Sequence, residues 1–515
     1  MTSLILQLFR VYVEWWLGVW RDSPLHVIVE TGLLILIGYI LVIRRRSTPP
    51  AVVLSEKEVE ELVQDWQPEP LGALRDMGAV QPRGTRAAYA LSPFSVPATS
   101  ASAAPPFEFV VDGFAPEDPR HLTVCLQGPE VRRATTFCSM DFLGLGAALR
   151  VRTAATAALD EYTLGSCGPR GFYGTTRKHL ELEACLARFA GTPDAISYSD
   201  ATATVASTIP AFAKRGDVLV VDEGCSYGVM IGARLSRARV VTWRHNDVTD
   251  LARHLVSVDA ADHAFASTQR RFIVVEGLYA DSGDLAPLVE VVQLARRHCW
   301  RVIVDDSCGF GVLGATGRGT VEHLGLVSAD VDVLVGSLST AFASVGGFCV
   351  GSREVVDHQR LSGAGYCFSA SAPPFLCATA AAAVAEVDER GGELLPALRS
   401  RTEAVHRALV ARVPHLRVVS SPVSPVQHLV LPARAAASSL GSAAAVAREI
   451  LRRCADAGVL LSRSHAVPPI TRPPVTIRVC VTVAHTDDEV EKMVDTLSTV
   501  VRSIFGDAPS SSSSG

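Results

Sequence analysis

Lysine is nearly missing from this chain. Of 48 basic residues only four are lysines, Lys57, Lys178, Lys214 and Lys492, and the rest are arginine. Arginine stays protonated with a delocalised charge, so it cannot replace lysine where a reaction needs a free amine. Also missing are CxxC pairs, Cys/His clusters at zinc spacing, and any broad basic stripe or aromatic-rich basic patch. The first two absences leave no metal motif. The twelve cysteines sit mostly singly in apolar runs such as "IRVCVTV", and read as small hydrophobes in a reducing compartment. The last two leave nucleic-acid binding without support.

What is present is a folded chain of 515 residues, 48% hydrophobic and 20% charged, with a net charge of −5. That length is enough for two or three domains. Leu25 to Ile43, "LHVIVETGLLILIGYILVI", is an apolar run interrupted by Glu30 and followed at once by Arg44–Arg46. As a helix it spans roughly 28 Å, the thickness of a bilayer core. The positive-inside rule puts the arginine end in the cytosol. Residues 1–24 carry Trp15, Trp16 and Trp20 and suit an amphipathic segment lying in the headgroup region. A cleaved signal peptide or a buried core helix are the other readings. Against the former, 24 residues precede the run and no small-residue cleavage site follows it.

Residues 44–105 read as a linker with one acidic helix, Ser55–Trp66, opened by a Ser55/Glu58 capping box, and then a Pro/Ser/Ala-rich connector. Over 106–389, short runs such as "VLVVD", "RFIVVEG", "RVIVDD" and "DVLVGS" alternate with helical segments. Runs this continuously apolar predict an α/β large domain with a mostly parallel sheet buried on both faces. Ligands of such sheets bind beyond the carboxyl ends of the strands. Residues 390–505 predict a smaller C-terminal α+β domain, closed by a helix capped by Thr486 and Glu489. The tail, 506–515, has the composition of a disordered segment.

Four stretches carry chemistry: "GSCGPRGFYGTTRKHLELE", "HNDVTDLARHL", "VVEGLYADSGDLAPL" and "VDDSCGFGVLGATGRG". Each alone reads equally well as a turn or a cap. In this order and spacing they resemble the α-oxoamine synthases, pyridoxal-phosphate (PLP) enzymes of the aminotransferase-like fold type I that condense an amino acid with an acyl-CoA. The resemblance covers about 105–505. "ASVGGFCVG" and "DHQRLSGAGYCFSASAPP" extend it to the family's serine palmitoyltransferase branch, and there to the non-catalytic long-chain-base subunit.

The resemblance implies a role for each position. Asp305 stands where the family keeps a carboxylate for the pyridinium nitrogen, although a strand-end Asp also caps the next turn. The family's following histidine is replaced by Cys308 and its ring-stacking histidine by Ser226. The Schiff-base lysine is replaced by Thr340, whose hydroxyl forms no imine. Arg478 matches the position that binds a substrate carboxylate, as a relic or simply as a strand-edge arginine. Active sites of this fold lie at a dimer boundary, and "CGPRGFYG" and "CFSASAPP" are the segments expected to cross it. Ser369 and Ser371 would donate to the phosphate of a PLP held by the partner's lysine. Cys167, Arg170, Phe172 and Tyr173 would border the interface and substrate channel.

These implications lead to a chain without a catalytic residue of its own, anchored by one helix in the endoplasmic reticulum membrane with its main domain cytosolic. Its implied partners are the lysine-bearing long-chain-base subunit 2 and membrane lipid, with small activating and regulatory subunits. L-serine and palmitoyl-CoA would meet at the shared site to form 3-oxosphinganine. A self-sufficient homodimeric PLP enzyme and a purely scaffolding pseudoenzyme are the alternatives.

Overall fold

A computed structural model describes residues 111–506, except 116, 119, 121, 127–131, 264–267, 434, 436–441 and 465–473, together with residues 32, 33, 36, 37 and 39. The chain divides into two units, Met1–Ala101 and Ser102–Gly515. In the first, the five described residues are helical. The segment at 1–24, the rest of the run at 25–43, the helix expected at Ser55–Trp66 and the tail from 507 lie outside the described residues. Among the described residues no helix is long and apolar enough to cross a membrane.

The second unit opens with three short antiparallel strands, β1 (Val111–Phe114), β2 (Thr123–Leu126) and β3 (Arg132–Thr136). Seven more follow: β4 (Asp194–Tyr198), β5 (Val218–Asp222), β6 (Arg239–Trp243), β7 (Arg271–Glu276), β8 (Arg301–Asp305), β9 (Val333–Ser337) and β10 (Gly347–Gly351). They form one sheet in the order β4-β10-β9-β8-β7-β5-β6, in which β10 alone runs against its neighbours. The mostly parallel sheet is as the apolar runs predict. Every residue of β5 and β9 is buried. Each fully buried Val or Leu contributes about 1.5–3 kcal/mol, so these strands anchor the core. Helices α1 (Leu149–Tyr162) and α2 (Arg177–Ala190) precede β4, and crossover helices include α3 (Ala201–Phe212), α4 (Tyr227–Leu235), α5 (Val248–Ala261) and α6 (Leu288–His298).

The 39-residue helix α7 (Pro374–Arg412) then leads to a second core. There β11 (Arg417–Val418), β12 (Val426–Val430), β14 (Ser462–Arg463) and β15 (Thr476–Cys480) form an antiparallel sheet in the order β11-β12-β15-β14. It is backed by α8 (Ala443–Asp456) and α9 (Asp487–Phe505). The Thr486/Glu489 capping box opens α9, and Met493, Val494, Leu497 and Val501 are wholly buried along it.

Two features redraw the division at 389/390. That boundary falls inside α7, a single continuous helix. In addition, β13 (Val459–Leu460) pairs in parallel with β3, and Phe137 is buried in the C-terminal core. The strands before residue 137 therefore pack with the C-terminal layer, not with the large sheet.

Candidate functional site

Parallel packing brings the carboxyl ends of β5, β7, β8 and β9 to one edge of the sheet, and four of the residues singled out in the sequence meet there. β7 and β8 are in register, so Glu276 and Asp305 are direct neighbours on adjacent strands. Ser226, at the start of α4, gives its backbone N–H to Glu276 Oε1 at 2.6 Å, and Ala280 gives its own to Oε2 at 3.0 Å. Ser307 donates its hydroxyl (2.5 Å) and its backbone N–H (3.0 Å) to Asp305 Oδ1. Thr340, in the loop after β9, donates its hydroxyl to the Ser307 carbonyl at 2.8 Å. Ser226, Glu276, Asp305, Ser307 and Thr340 are thus one network, with Glu276, Asp305 and Thr340 buried and the two serines half-buried. Cys308 lies beside it, buried.

Electrostatics follow from burial. Removal from water pushes the Glu276 carboxyl up to about 8, and the charge of Asp305 adds to the rise. Burial likewise raises Asp305, against the two bonds from Ser307. Burial, then the Glu276 and Asp305 carboxylates, hold the Cys308 thiol well above its ordinary value, so it is no nucleophile. Glu276 and Ser307 escaped sequence analysis. A carboxylate ending the apolar run "FIVVE" was the available signal for the first.

A second cluster explains "HND". His245 bridges two carboxylates, with Nδ1 2.7 Å from Asp222 and Nε2 3.0 Å from Asp284. Asn246 donates its amide to the same Asp284 oxygen at 3.0 Å. Burial opposes the imidazolium, but the two acidic partners outweigh it and raise His245 to about 10. The cluster ties the loops after β5, β6 and β7 together. It borders a cleft of about 630 Å³ whose other wall is Arg417, Val419 and Val430 of the C-terminal layer.

The segments expected to cross a dimer boundary are clasped to each other. Ser166 donates its hydroxyl to the Ser371 carbonyl at 2.8 Å, and Ser371 N–H donates to the Gly168 carbonyl at 2.9 Å. His179 Nε2 lies 2.9 Å from the Ala372 carbonyl. Glycine is obligatory where the loop folds back, because a Cβ on Gly174 would lie 2.0 Å from the Gly168 carbonyl oxygen. Outward from the clasp project Phe172, Tyr173 and Phe368, at 68%, 103% and 86% exposure, with exposed Cys167 alongside. Tyr173 and Cys167 hold φ of +66° and +56°.

Two expectations for these segments need correction. Ser371 is buried, with its Oγ against the Gly168 and Gly174 carbonyls, so its hydroxyl is used within the chain. Ser369 is half-buried with its Oγ 3.3 Å from that of Ser199. Arg170 is turned inward onto Glu183, not toward a channel. Arg478, on β15, donates from Nε to Ser462 Oγ at 3.0 Å.

Whether these residues fit a covalently held PLP turns on an amine. Lys178 pairs with Glu181 on α2. Lys214 precedes β5, at the opposite end of that strand from the network, and Lys492 is on α9. Among the described residues no lysine is a partner of the strand-end network. The Asp305 carboxylate is engaged by Ser307 and shares its surroundings with Glu276. The residues present do not fit such a group.

A sheet of this order with one reversed strand, and a carboxylate at the end of β8, defines an aminotransferase-like α/β protein. The model for aminotransferase class I and II matches residues 133–497. Long chain base biosynthesis protein 1c of Oryza sativa subsp. japonica is 37% identical over 93% of this chain and 92% of its own length. Serine palmitoyltransferase 1 of Saccharomyces cerevisiae is 33% identical over 80% of this chain and 72% of its own. Among solved structures, the serine palmitoyltransferase of Sphingomonas wittichii superposes with a TM-score of 0.68 at 28% identity, covering 78% of this chain and 93% of that one. The chain belongs to the PLP-dependent aminotransferase class I and II family, in its long-chain-base protein 1 branch.

Proposed function

We infer that this chain is the subunit of a serine palmitoyltransferase that has Thr340 in place of the Schiff-base lysine, paired with a lysine-bearing long-chain-base subunit 2. That complex condenses L-serine with palmitoyl-CoA to 3-oxosphinganine in the first step of sphingolipid biosynthesis. The observation carrying the reading is Thr340, whose hydroxyl is spent on the Ser307 carbonyl at the position that the resemblance gives to the family's lysine. PLP, bound covalently by the partner, supplies the electron sink for the condensation. This chain's own residues supply the clasped loops at 166–174 and 367–374. Their exposed Phe172, Tyr173 and Phe368 form the apolar surface that a partner covers.

The apolar run at 25–43 and the arginines behind it support a single membrane anchor in the endoplasmic reticulum, with the main domain on the cytosolic face. A long-chain acyl donor and its product partition into bilayers, which favours such a location.

The test is reduction with borohydride in the presence of PLP. The chain alone should give no pyridoxyl-lysine, whereas co-expression with the lysine-bearing subunit should give both the adduct, on that subunit, and condensation. A pyridoxyl-lysine on this chain would establish the self-sufficient homodimer instead.

A further inference from the structure

Helices α3, α4 and α5 begin directly beyond the carboxyl ends of β4, β5 and β6, at the edge of the sheet where the strand-end network lies. Unbonded N–H groups and the positive end of the dipole make such helix starts a natural seat for a phosphate. Here each start is already met by a carboxylate. Asp200, the N-cap of α3, accepts the Ala203 N–H at 2.6 Å. Asp247 accepts that of Asp250 at 3.0 Å as α5 begins, and Glu276 takes the Ser226 N–H that leads into α4. The nearby cations are no counterweight. His245 lies between Asp222 and Asp284, and Arg244 pairs with Asp247 at 2.9 Å.

The start of α3 is set against the loop that carries Thr340. A Cβ on Gly347 would lie 3.1 Å from the Ala201 Cα, and one on Gly346 would lie 2.5 Å from the Tyr198 carbonyl oxygen. The Thr340 loop therefore ends pressed on the turn between β4 and α3, with Asp200 at its tip. Asp200 is exposed, so its charge meets whatever enters from solvent. Toward a phosphate at that spot the carboxylate acts twice. It occupies an N–H that the phosphate would need, and it sets a like charge beside it.

We propose that Asp200 closes this chain's own strand-end edge to phosphate, so that it turns away the free cofactor just as Thr340 denies it a covalent attachment. The misfit to PLP is thus built at two separate positions, one against the aldehyde and one against the phosphate. This rests on the two-subunit reading above, in which the complex holds its PLP on the partner.

The experiment uses the full-length complex with the lysine-bearing subunit. Borohydride first locks PLP onto the partner's lysine, so that site takes up nothing further. Pyridoxamine phosphate, which has no aldehyde and binds without a covalent bond, is then offered by equilibrium dialysis. Asp200→Gly leaves a residue that an N-cap tolerates and removes the carboxylate. It should bind one equivalent per complex, displaced by inorganic phosphate, at least about tenfold more tightly than wild type. Asp200→Asn keeps the cap bond and removes only the charge, so it should fall between the two. Pyridoxamine, which lacks the phosphate, should bind the variants no better than wild type. Equal uptake by wild type and Asp200→Gly, or a gain for pyridoxamine as large as for its phosphate, would overturn the proposal. Where Asp200→Gly fails to assemble, Asp200→Asn against wild type carries the test by itself. Failure of the two-subunit reading is distinct, because the reduction would then leave the pyridoxyl group on this chain, or no lysine-bearing subunit would co-purify.

Discussion

Glu276 and Asp305 end adjacent parallel strands in register, two buried carboxyls side by side with backbone amides and a serine as their remaining partners. Both are raised by burial, Glu276 to about 8, and the unfolded chain would titrate it near 4.5. The folded state therefore binds more protons than the unfolded one between those values. Stability contributed here is complete at low pH and is lost as pH rises from about 4.5 through about 8. Glu276→Gln should flatten that slope and stabilise the protein at pH 8 by about 1–3 kcal/mol. Denaturant unfolding of wild type and variant at pH 5.5 and 8 checks it, and an equal gain at both would refute it.

His245 predicts the opposite limb. Its folded value of about 10 lies above the ordinary 6.5, so its contribution is full below 6.5 and is lost as pH rises through about 10. His245→Ala leaves Asp222 buried without its cation and should cost about 1–3 kcal/mol at pH 7.5. The deficit should shrink at pH 10.5. Urea midpoints at the two pH values measure this directly.

Thr340→Val keeps the shape of the side chain and deletes its bond to the Ser307 carbonyl. A loss of about 1 kcal/mol in stability is expected, with kcat of the assembled complex unchanged. A fall in kcat at equal assembly would give the hydroxyl a chemical role.

Gly174→Ala drives a methyl group toward the Gly168 carbonyl and should spring the clasp between the two crossing segments. Overpacking of this kind costs about 1–3 kcal/mol. If the clasp shapes the interface, co-purification with the lysine-bearing subunit should weaken by about tenfold. The thermal transition of the large sheet should persist.

The strands β5, β7, β8 and β9 were legible because each is buried on both faces and reads as an unbroken apolar run. β10, "GFCVG", was not, since two glycines dilute the signal and nothing local reports that a strand is reversed. The partnership of β3 with Val459–Leu460 joins segments more than 300 residues apart, which periodicity cannot see. At the strand ends, Asp305 and Thr340 were singled out by resemblance, but Glu276 acquires meaning only from register across the sheet. Arg170 was misdirected for a related reason. Its inward turn depends on Glu183, which sits on the far side of a loop and nearly two turns into a helix.

Helix α7 begins with Pro374, immediately after the clasp, and ends at Arg412 in the C-terminal core. At 1.5 Å per residue it is roughly 58 Å long. Cys377, Ala380 and Ala383 seat its first turns in the large-sheet core, and Val405 and Leu409 seat its last in the other. The helix is a tie rod between them. The exposed Phe368 stands shortly before Pro374, so a partner seated on it sits beside one end of that rod, whose other end is packed in the C-terminal core. Pro396, within the helix, removes one rung of its hydrogen-bond ladder and marks the point where the rod bends first.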